Sequence, residues 1–559
     1  MTVWLAQNLA PVMFLVLIAI LALGYPVAFS LGACGLLFFV IGVELAPYSG
    51  GAISLDWPLI YSLPERVFGI LSNETLLAIP FFTLMGLVLE RSGIAEDLLD
   101  TIGQLFGTAR GGLAFAVIFV GALLAASTGV VAATVISMGL ISLPIMLRYG
   151  YDRRVASGVI AASGTLAQII PPSLVLIVIA DQLGRSVGDM YEGAFLPGLL
   201  LASLYAGYVL LLSWLKPDAV PGLPAHAIHH READGSRGLG SLAAIAAIAG
   251  VSGYLVMRGT SYRGADYVVL LLATAMFTGF VMALCDFLLE RLGGGRLTSE
   301  IARRVTFVLA PPLFLIFLVL GTIFIGVATP TEAGAMGACG ALLLAAVKRW
   351  TDGVPERFDL PMLRAAVEAT ARLTSFVLFI VIGARIFALT FYGISGHVWV
   401  EGLLTSLPGG ELGFLILVNV LVFVLAFFLE FFELAFIVIP LLVPVADKLG
   451  IDLIWLGVML AVNMQTSFMH PPFGFALYYL RSVAPKDAFV DKLTGKITAG
   501  ISTAQIYWGA VPFLIIQCVV VALVIAFPGL VMHYKARSVP AEPTQIEIEL
   551  PLPKMPTLQ

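Results

Sequence analysis

Charged side chains are scarce in this chain. Lys, Arg, Asp and Glu make up 12% of its 559 residues, against about 25% in soluble globular proteins, and 60% of the residues are hydrophobic. Apolar runs of about 20 residues, enough to cross a hydrocarbon core, recur along almost the whole length. The composition excludes a soluble protein and predicts an all-α polytopic protein of the lipid bilayer. It gives no reason to expect a nucleic-acid partner.

Cysteine and catalytic motifs are also sparse. The four cysteines, Cys34, Cys285, Cys339 and Cys518, stand singly in apolar segments without disulfide-framework or metal-ligand spacing. No GxxxxGKS nucleotide-binding loop and no HExxH metal motif occurs in the sequence. We therefore expect no enzyme, no catalytic residue, no nucleotide, no organic cofactor and no metal beyond a coupling cation.

An internal repeat is present at an offset of 300 residues. The segment ASGTLAQIIPPSLVL has a counterpart in MQTSFMHPPFGFALYYL, which aligns Pro171 and Pro172 with Pro471 and Pro472. Because proline lacks an amide hydrogen and clashes with the preceding turn, each pair predicts a break in a transmembrane helix. Repeated broken helices are typical of secondary transporters.

The charge pattern indicates that the two repeats have inverted topology. Each repeat contains an interrupted apolar stretch whose ends lie on one side of the membrane, which predicts a re-entrant helical hairpin. Seven crossings separate equivalent points, and the basic clusters place both termini outside the cytoplasm. The predicted organisation is a first repeat at 1–184 with an inward-facing hairpin at about 111–147, a connecting helix and an insert with an extra helix pair at 185–308, a second repeat at 309–484 with an outward-facing hairpin at about 412–448, a terminal helix at 485–535, and a disordered tail at 536–559.

Broken helices expose backbone carbonyls that can bind a cation and amides that can receive an anion. We expect two cation sites, each formed by small polar residues beside a break. The candidates are Ser127, Thr128, Gly129, Ser163, Gly164 and Thr165 at the first break, and Asn463, Gln465, Thr466 and Ser467 at the second. Hydroxyl, amide and carbonyl oxygens without dense carboxylates suit Na⁺ better than a divalent ion.

Four ionisable residues and one serine are further candidates for substrate binding or gating. Arg385, Glu430 and Glu433 lie within apolar runs, where they either bind substrate or form a salt bridge between the second hairpin and the Arg385 helix. His470, beside the second Pro–Pro pair, is either a proton carrier or a neutral capping or packing residue. Ser173 directly follows the first pair.

Several motifs together resemble the large membrane subunit of tripartite ATP-independent periplasmic (TRAP) transporters. They are GTLAQIIPPS at 164–173, GVATPTEAGA at 326–335, the GID at 450–452 and the second Pro–Pro pair. The long insert, Glu430 where Asp is usual, and HPPFGFALYYL point toward the mannitol/chloroaromatic or 2-oxo acid subgroup.

The resemblance implies Na⁺-driven uptake of an organic acid by an elevator mechanism in a bacterial inner membrane. It also implies a small four-helix membrane subunit and a soluble periplasmic binding protein that delivers the substrate. The alternative is a cation:carboxylate symporter or antiporter on a related inverted-repeat fold that needs no binding protein.

Overall fold

The computed structural model describes residues 2–128, 131–229, 238–260, 262, 264–293, 296–406, 408–427, 429–491, 495 and 497–533, with only the backbone at 125–128 and 265. The helices before the insert are α1 (Thr2–Gln7), α2 (Leu9–Ala22), α3 (Val27–Leu45), α4 (Leu63–Leu71), α5 (Glu74–Arg91), α6 (Ile94–Phe106), α7 (Gly112–Thr128), α8 (Val131–Arg148), α9 (Arg153–Thr165), α10 (Leu174–Leu183) and α11 (Val187–Leu215). The insert contains α12 (Leu239–Met257) and α13 (Ala265–Arg291).

The remaining helices are α14 (Glu300–Phe324), α15 (Pro330–Asp352), α16 (Leu360–Gly393), α17 (Gly396–Thr405), α18 (Gly410–Leu425), α19 (Phe431–Ile437), α20 (Ile439–Lys448), α21 (Leu453–Met464), α22 (Phe475–Val483), α23 (Thr503–Ala526) and α24 (Gly529–Met532). Two short strands, β1 (Phe489–Val490) and β2 (Ile497–Thr498), pair in antiparallel fashion.

Long apolar helices dominate the architecture. Within the described residues, nine helices are long and apolar enough to cross a membrane, and the number rises to 11 if each of two bent helix pairs counts as one span. A helix satisfies its own backbone hydrogen bonds, which lipid cannot do. The chain is a multi-pass membrane protein, as its composition predicted.

The offset of 300 residues extends to local structure at the start of two helices. Gly150 and Gly450 both have positive φ, at 83° and 73°. Two residues later, Asp152 Oδ1 accepts from the Arg154 amide, and Asp452 Oδ1 accepts from the Ile454 amide. The same glycine turn and aspartate cap therefore begin α9 and α21.

Close backbone packing brings the two halves of the chain together. α5 packs along α15, α3 along α16, and α9 along α23. At the last of these contacts, a Cβ placed on Gly158 would lie 2.1 Å from the carbonyl oxygen of Gly509. Only glycine permits this approach, so α23 lies directly against the broken helix that follows Asp152.

The segment predicted as a terminal helix at 485–535 is only partly helical, so that prediction is wrong in its first part. Residues 489–498 include the two-stranded pair, and α23 begins at Thr503. The Asp491 carboxylate, 2% exposed, accepts from the Arg148 guanidinium at 2.6 Å, which ties the end of β1 to the end of α8. The predicted disordered tail at 536–559 lies outside the described residues.

Candidate functional site: two broken helices in contact

Each broken helix has the same sequence of local structures. α9 passes into a 3₁₀ turn at Leu166–Gln168, and α10 begins only after a cis peptide bond between Pro171 and Pro172. α21 passes into a 3₁₀ turn at Gln465–Phe468, and α22 begins after a cis bond between Pro471 and Pro472. The structure therefore contains both predicted breaks.

Ser173 completes the first break. In a continuous helix the amide of residue 172 would bond the carbonyl of Gln168, but Pro172 has no such hydrogen. Ser173 Oγ donates to that carbonyl at 2.6 Å instead, and Ser173 caps α10 by accepting from the Leu176 amide at 3.5 Å. The hydroxyl predicted as a substrate or gating candidate is thus used within the break.

The second break is closed differently. Phe473 stands at the position equivalent to Ser173, and Gly474 provides the cap of α22. The Gly474 amide donates to the His470 carbonyl at 2.6 Å, and a Cβ on Gly474 would lie 2.6 Å from the Phe468 carbonyl oxygen. A backbone contact here replaces the hydroxyl of the first break.

The two breaks meet through Thr165 and Gln465. Gln465 Nε2 donates to Thr165 Oγ1 at 3.1 Å, and Thr165 Oγ1 donates to the Ala162 carbonyl at 2.8 Å. Both side chains are 0% exposed. The two predicted cation sites are therefore in direct contact and form one polar region.

The other polar candidates lie within their own halves. Ser163 Oγ donates to the Val159 carbonyl at 2.6 Å, and Thr466 Oγ1 donates to the Asn463 carbonyl at 2.7 Å. Asn463 Nδ2 donates to Asn419 Oδ1 on α18 at 2.9 Å. The hydroxyl hydrogens of the serine and threonine thus bond the preceding turn, and the asparagine joins α21 to α18.

Buried polar atoms without a hydrogen-bond partner mark both breaks. Among the described residues, Gln168 Oε1, Gln465 Oε1 and Ser467 Oγ are buried and make no hydrogen bond with protein. A buried oxygen left in this state costs about 1 to 3 kcal/mol. Each atom can accept a hydrogen bond from a water molecule or bind a cation.

The α7–α8 pair packs closely on the first break at two glycine residues, which have no side chain to keep the helices apart. A Cβ on Gly121 would lie 2.5 Å from Ser163 Cβ, and one on Gly164 would lie 2.3 Å from Val135 Cγ2. The lack of a side chain at Gly164 therefore lets α8 pack directly against α9. The hairpin-tip candidates cannot be placed in the same way, since the side chains of Ser127 and Thr128 and all of Gly129 lie outside the described residues.

Glu430 and Glu433 form a capping box at the start of α19. The Glu430 side chain accepts from the Glu433 amide, and Glu433 Oε2 accepts from the Glu430 amide at 2.8 Å. No ion pair between either glutamate and Arg385 is present in the described part of the chain. The salt bridge considered from the sequence is therefore not formed, because both carboxylates face the backbone of their own helix end.

Arg385 lines a cavity of about 240 Å³ between α16 and the α19–α20 segment. Asp181, at the end of α10, also lines it, but its two carboxylate oxygens accept from Asn73 Nδ2 at 2.7 Å and from Gln182 Nε2 at 2.8 Å. The Arg385 guanidinium is exposed and makes no ion pair with any carboxylate that the structure describes. It is available to an anion that enters the cavity.

His470 is packed against two aromatic rings, Phe423 on α18 and Phe427 just after the end of that helix. Its ring centroid lies 4.2 Å from that of Phe427 in a stacked arrangement and 4.3 Å from that of Phe423 at a steep angle. The residue is 0% exposed. These contacts pack His470 against Phe423 of α18 and against Phe427, and its role as a proton carrier or as a packing residue stays a prediction.

Some site residues were absent from the sequence-based set. Gln168 lies inside the quoted repeat motif, and its position as an amide in an apolar run was a usable signal. Asn419 is a polar residue in the apolar helix α18, and no local pattern connects it with the second break. Only its contact with Asn463 does so.

Sequence comparison places the chain in a family. The family model described as "Tripartite ATP-independent periplasmic transporter, DctM component" matches residues 14–530. The chain belongs to this family. It is therefore the large membrane component of a TRAP transporter, as the motifs indicated, and members of this family work with a small membrane subunit and a periplasmic binding protein.

Curated relatives of this TRAP component cover most of the chain. The C4-dicarboxylate TRAP transporter large permease of Vibrio cholerae is 29% identical over 84% of this chain and 88% of its own length. The corresponding protein of Rhodobacter capsulatus is 26% identical over 93% and 99%. The sialic acid TRAP transporter permease of Haemophilus influenzae is 23% identical over 92% and 67%.

Proposed function

We propose that this TRAP component carries out Na⁺-coupled uptake of an organic acid across a bacterial inner membrane. The observation that carries the proposal is the set of buried, unpartnered oxygens at the two breaks: Gln168 Oε1, Gln465 Oε1 and Ser467 Oγ. A monovalent cation bound there would offset the free energy that burial without a protein hydrogen bond costs these atoms. Na⁺ suits a set of neutral oxygens better than a divalent ion does.

The cation ligands would come from both breaks. The amide oxygens of Gln168 and Gln465 and the hydroxyl of Ser467 would contribute side-chain ligands, and the carbonyls freed by the prolines would add backbone ligands. Their position on discontinuous helices would allow the site to change when either half-helix moves. Binding of Na⁺ would then be linked to the conformation of the breaks.

Arg385 would attract the carboxylate of the substrate. Its unpaired guanidinium lines a cavity bounded by α16 and by Phe436 and Pro440 of the α19–α20 segment, so an anion there would contact both. Guanidinium groups bind carboxylates through two parallel hydrogen bonds. The relatives described as permeases for C4-dicarboxylate and for sialic acid make a carboxylate the first substrate class to test.

Alternating access would follow from inverted repeats and an elevator motion. In this arrangement α7–α10 and α18–α22 form the moving part, and the two termini lie in the periplasm. The basic clusters near 148–154 and 348–364 support this orientation. A small four-helix subunit would stay with the static helices, while the periplasmic binding protein delivers the acid.

Uptake into proteoliposomes tests the proposal. The chain is reconstituted with its small membrane subunit, and radiolabelled C4-dicarboxylates and sialic acid are supplied with the binding protein outside. We expect uptake to require an inward Na⁺ gradient and no ATP. Uptake at full rate with choline in place of Na⁺ on both sides would refute Na⁺ coupling, and full uptake without the binding protein would favour the binding-protein-independent alternative.

A further inference from the structure

The long helices that come after the two broken helices begin with the same short pattern. The segment SVGDMYEGA, at 186–194, and the segment STAQIYWGA, at 502–510, share their serine, tyrosine, glycine and alanine, 316 positions apart. Ser186 caps α11 and Ser502 caps α23, each by accepting from the amide three residues further on. Both helices therefore start at the same point of the pattern, and its tyrosine and glycine have the same place in each helix.

The two tyrosines of the pattern each donate to a backbone carbonyl of a break. The Tyr191 hydroxyl donates to the Ser173 carbonyl at 3.3 Å, and Tyr191 is 0% exposed. The Tyr507 hydroxyl donates to the Pro472 carbonyl at 3.2 Å. Ser173 directly follows the first Pro–Pro pair, and Pro472 belongs to the second. Each tyrosine thus joins the start of the half-helix after its own break, α10 or α22, to the next long helix.

The glycine two residues after each tyrosine contacts the other half of the chain. A Cβ on Gly193 would lie 3.2 Å from Ile454 Cγ2, at the start of α21. A Cβ on Gly509 would lie 2.1 Å from the Arg154 carbonyl oxygen, at the start of α9. Arg154 and Ile454 are equivalent at the offset of 300 residues. The long helix after each break therefore packs against the broken helix of the other repeat.

Helical geometry lets one helix make both contacts. Successive residues of an α-helix are about 100° apart around its axis, so residues two positions apart point to nearly opposite sides. One side of α11 carries Tyr191 toward the first break, and the other carries Gly193 toward α21. In α23, Tyr507 reaches the second break and Gly509 contacts α9. Each helix thus connects the half-helix after its own break with the half-helix before the other break.

We infer that Tyr191 and Tyr507 are positioning residues that hold α10 and α22 in the places that the proposed cation site requires. The inference rests on the proposed Na⁺ function, whose ligands come from both breaks. In this role neither tyrosine touches cation or substrate, and each acts through a backbone carbonyl. Without the hydroxyl, the half-helix loses a hydrogen bond to α11 or α23. The break can then open locally into positions in which its oxygens no longer converge on one cation.

Two measurements on the purified full-length chain test this inference. Hydrogen exchange in Na⁺-free buffer, followed by mass spectrometry, reports opening of the first turns of α10 and α22. Na⁺-dependent thermal stabilisation, with NaCl titrated against choline chloride at constant ionic strength, gives the half-maximal Na⁺ concentration. The variants Tyr191→Phe and Tyr507→Phe keep the ring and remove only the hydroxyl. Tyr208→Phe, further along α11 where the ring packs on Phe513, is the matched control.

We expect Tyr191→Phe to speed exchange at the start of α10 and Tyr507→Phe to speed it at the start of α22. Each change should be about threefold to tenfold, as the loss of one hydrogen bond predicts. Both variants should raise the half-maximal Na⁺ concentration by a similar factor, because a break that is more often open is less often competent to bind. Tyr208→Phe should match wild type in both measurements.

Exchange that stays at the wild-type rate in either variant, or that is equally fast in Tyr208→Phe, would overturn the inference. So would faster exchange with a wild-type half-maximal Na⁺ concentration, since the tyrosines would then stabilise the fold without positioning the site. A wild-type chain that Na⁺ does not stabilise would refute the proposed function. The exchange rates would still decide whether the tyrosines hold the half-helices.

Discussion

Gln465 and Thr165 are 300 positions apart in the sequence, occupy equivalent places in its two similar halves, and lie 3.1 Å from each other, Nε2 to Oγ1. The same offset relates the two Pro–Pro pairs. One contact between the halves thus lies at the point where both helices break. A shift of one break would therefore change the hydrogen bond that it makes with the other.

The first prediction concerns the prolines. Replacing Pro171 and Pro172 together by alanine supplies two amide hydrogens, one of which competes for the Gln168 carbonyl that Ser173 Oγ now holds at 2.6 Å. We expect the variant to insert and purify normally, while its apparent Na⁺ affinity in proteoliposome uptake falls about tenfold or more. Pro197→Ala, inside the continuous helix α11, is the control. Normal uptake at limiting Na⁺ would reduce the Pro–Pro pair to a packing kink.

The second prediction separates the charge of Glu433 from its capping bond. Glutamine at this position can still accept from the Glu430 amide, whereas alanine cannot. Glu433→Ala should destabilise the purified protein by about 1 kcal/mol in thermal unfolding, and Glu433→Gln should not. If Glu433→Gln abolishes uptake while it keeps wild-type stability, the carboxylate has a role in transport beyond the cap.

The third prediction addresses the cavity between α16 and the α19–α20 segment. Arg385→Gln removes its unpaired cation, so we expect the KM for a carboxylate substrate to rise about tenfold or more while the half-maximal Na⁺ concentration stays unchanged. Arg372→Gln, an exposed arginine of the same helix outside the cavity lining, is the control. A parallel loss in both variants would indicate a general charge effect and argue against carboxylate binding by Arg385.

The fourth prediction tests the close contact of α9 with α23. A Cβ on Gly509 would lie 2.1 Å from the Arg154 carbonyl oxygen, so Gly509→Ala must push the helices apart. We expect a loss of about 1 to 3 kcal/mol in stability, measured by thermal unfolding in detergent. Gly207→Ala on α11, where a Cβ would meet nothing within 4 Å, should leave stability unchanged or raised. Equal stability of the two variants would contradict the packing.

The fifth prediction concerns orientation in the membrane. In a background without native cysteines, Arg185→Cys should react with an impermeant maleimide added outside intact spheroplasts, and Trp350→Cys should react only after lysis. Both positions are exposed, and Trp350 has 89% of its surface accessible. The basic clusters give the expected sidedness. Labelling of Trp350→Cys in intact spheroplasts would reverse the proposed topology.

Local features of the sequence determined most of the fold. Apolar runs specify membrane helices because lipid accepts only backbones that satisfy themselves. Pro171, Pro172, Pro471 and Pro472 specify the breaks because proline lacks an amide hydrogen wherever it occurs. The motifs around them gave the family. These inferences needed only the residue types and their spacing along the chain.

Tertiary structure alone decided how the polar groups are connected. The bond from Gln465 to Thr165, the bond from Asn463 to Asn419 and the bond from Gln517 to Tyr205 depend on which helices pack together and which rotamers they allow. An isolated glutamine or tyrosine in an apolar helix has the same local signature whether it faces lipid or another helix. Its role is fixed by a partner hundreds of residues away, as where Gln517 donates to the Tyr205 hydroxyl at 3.0 Å, and no local pattern encodes such a contact.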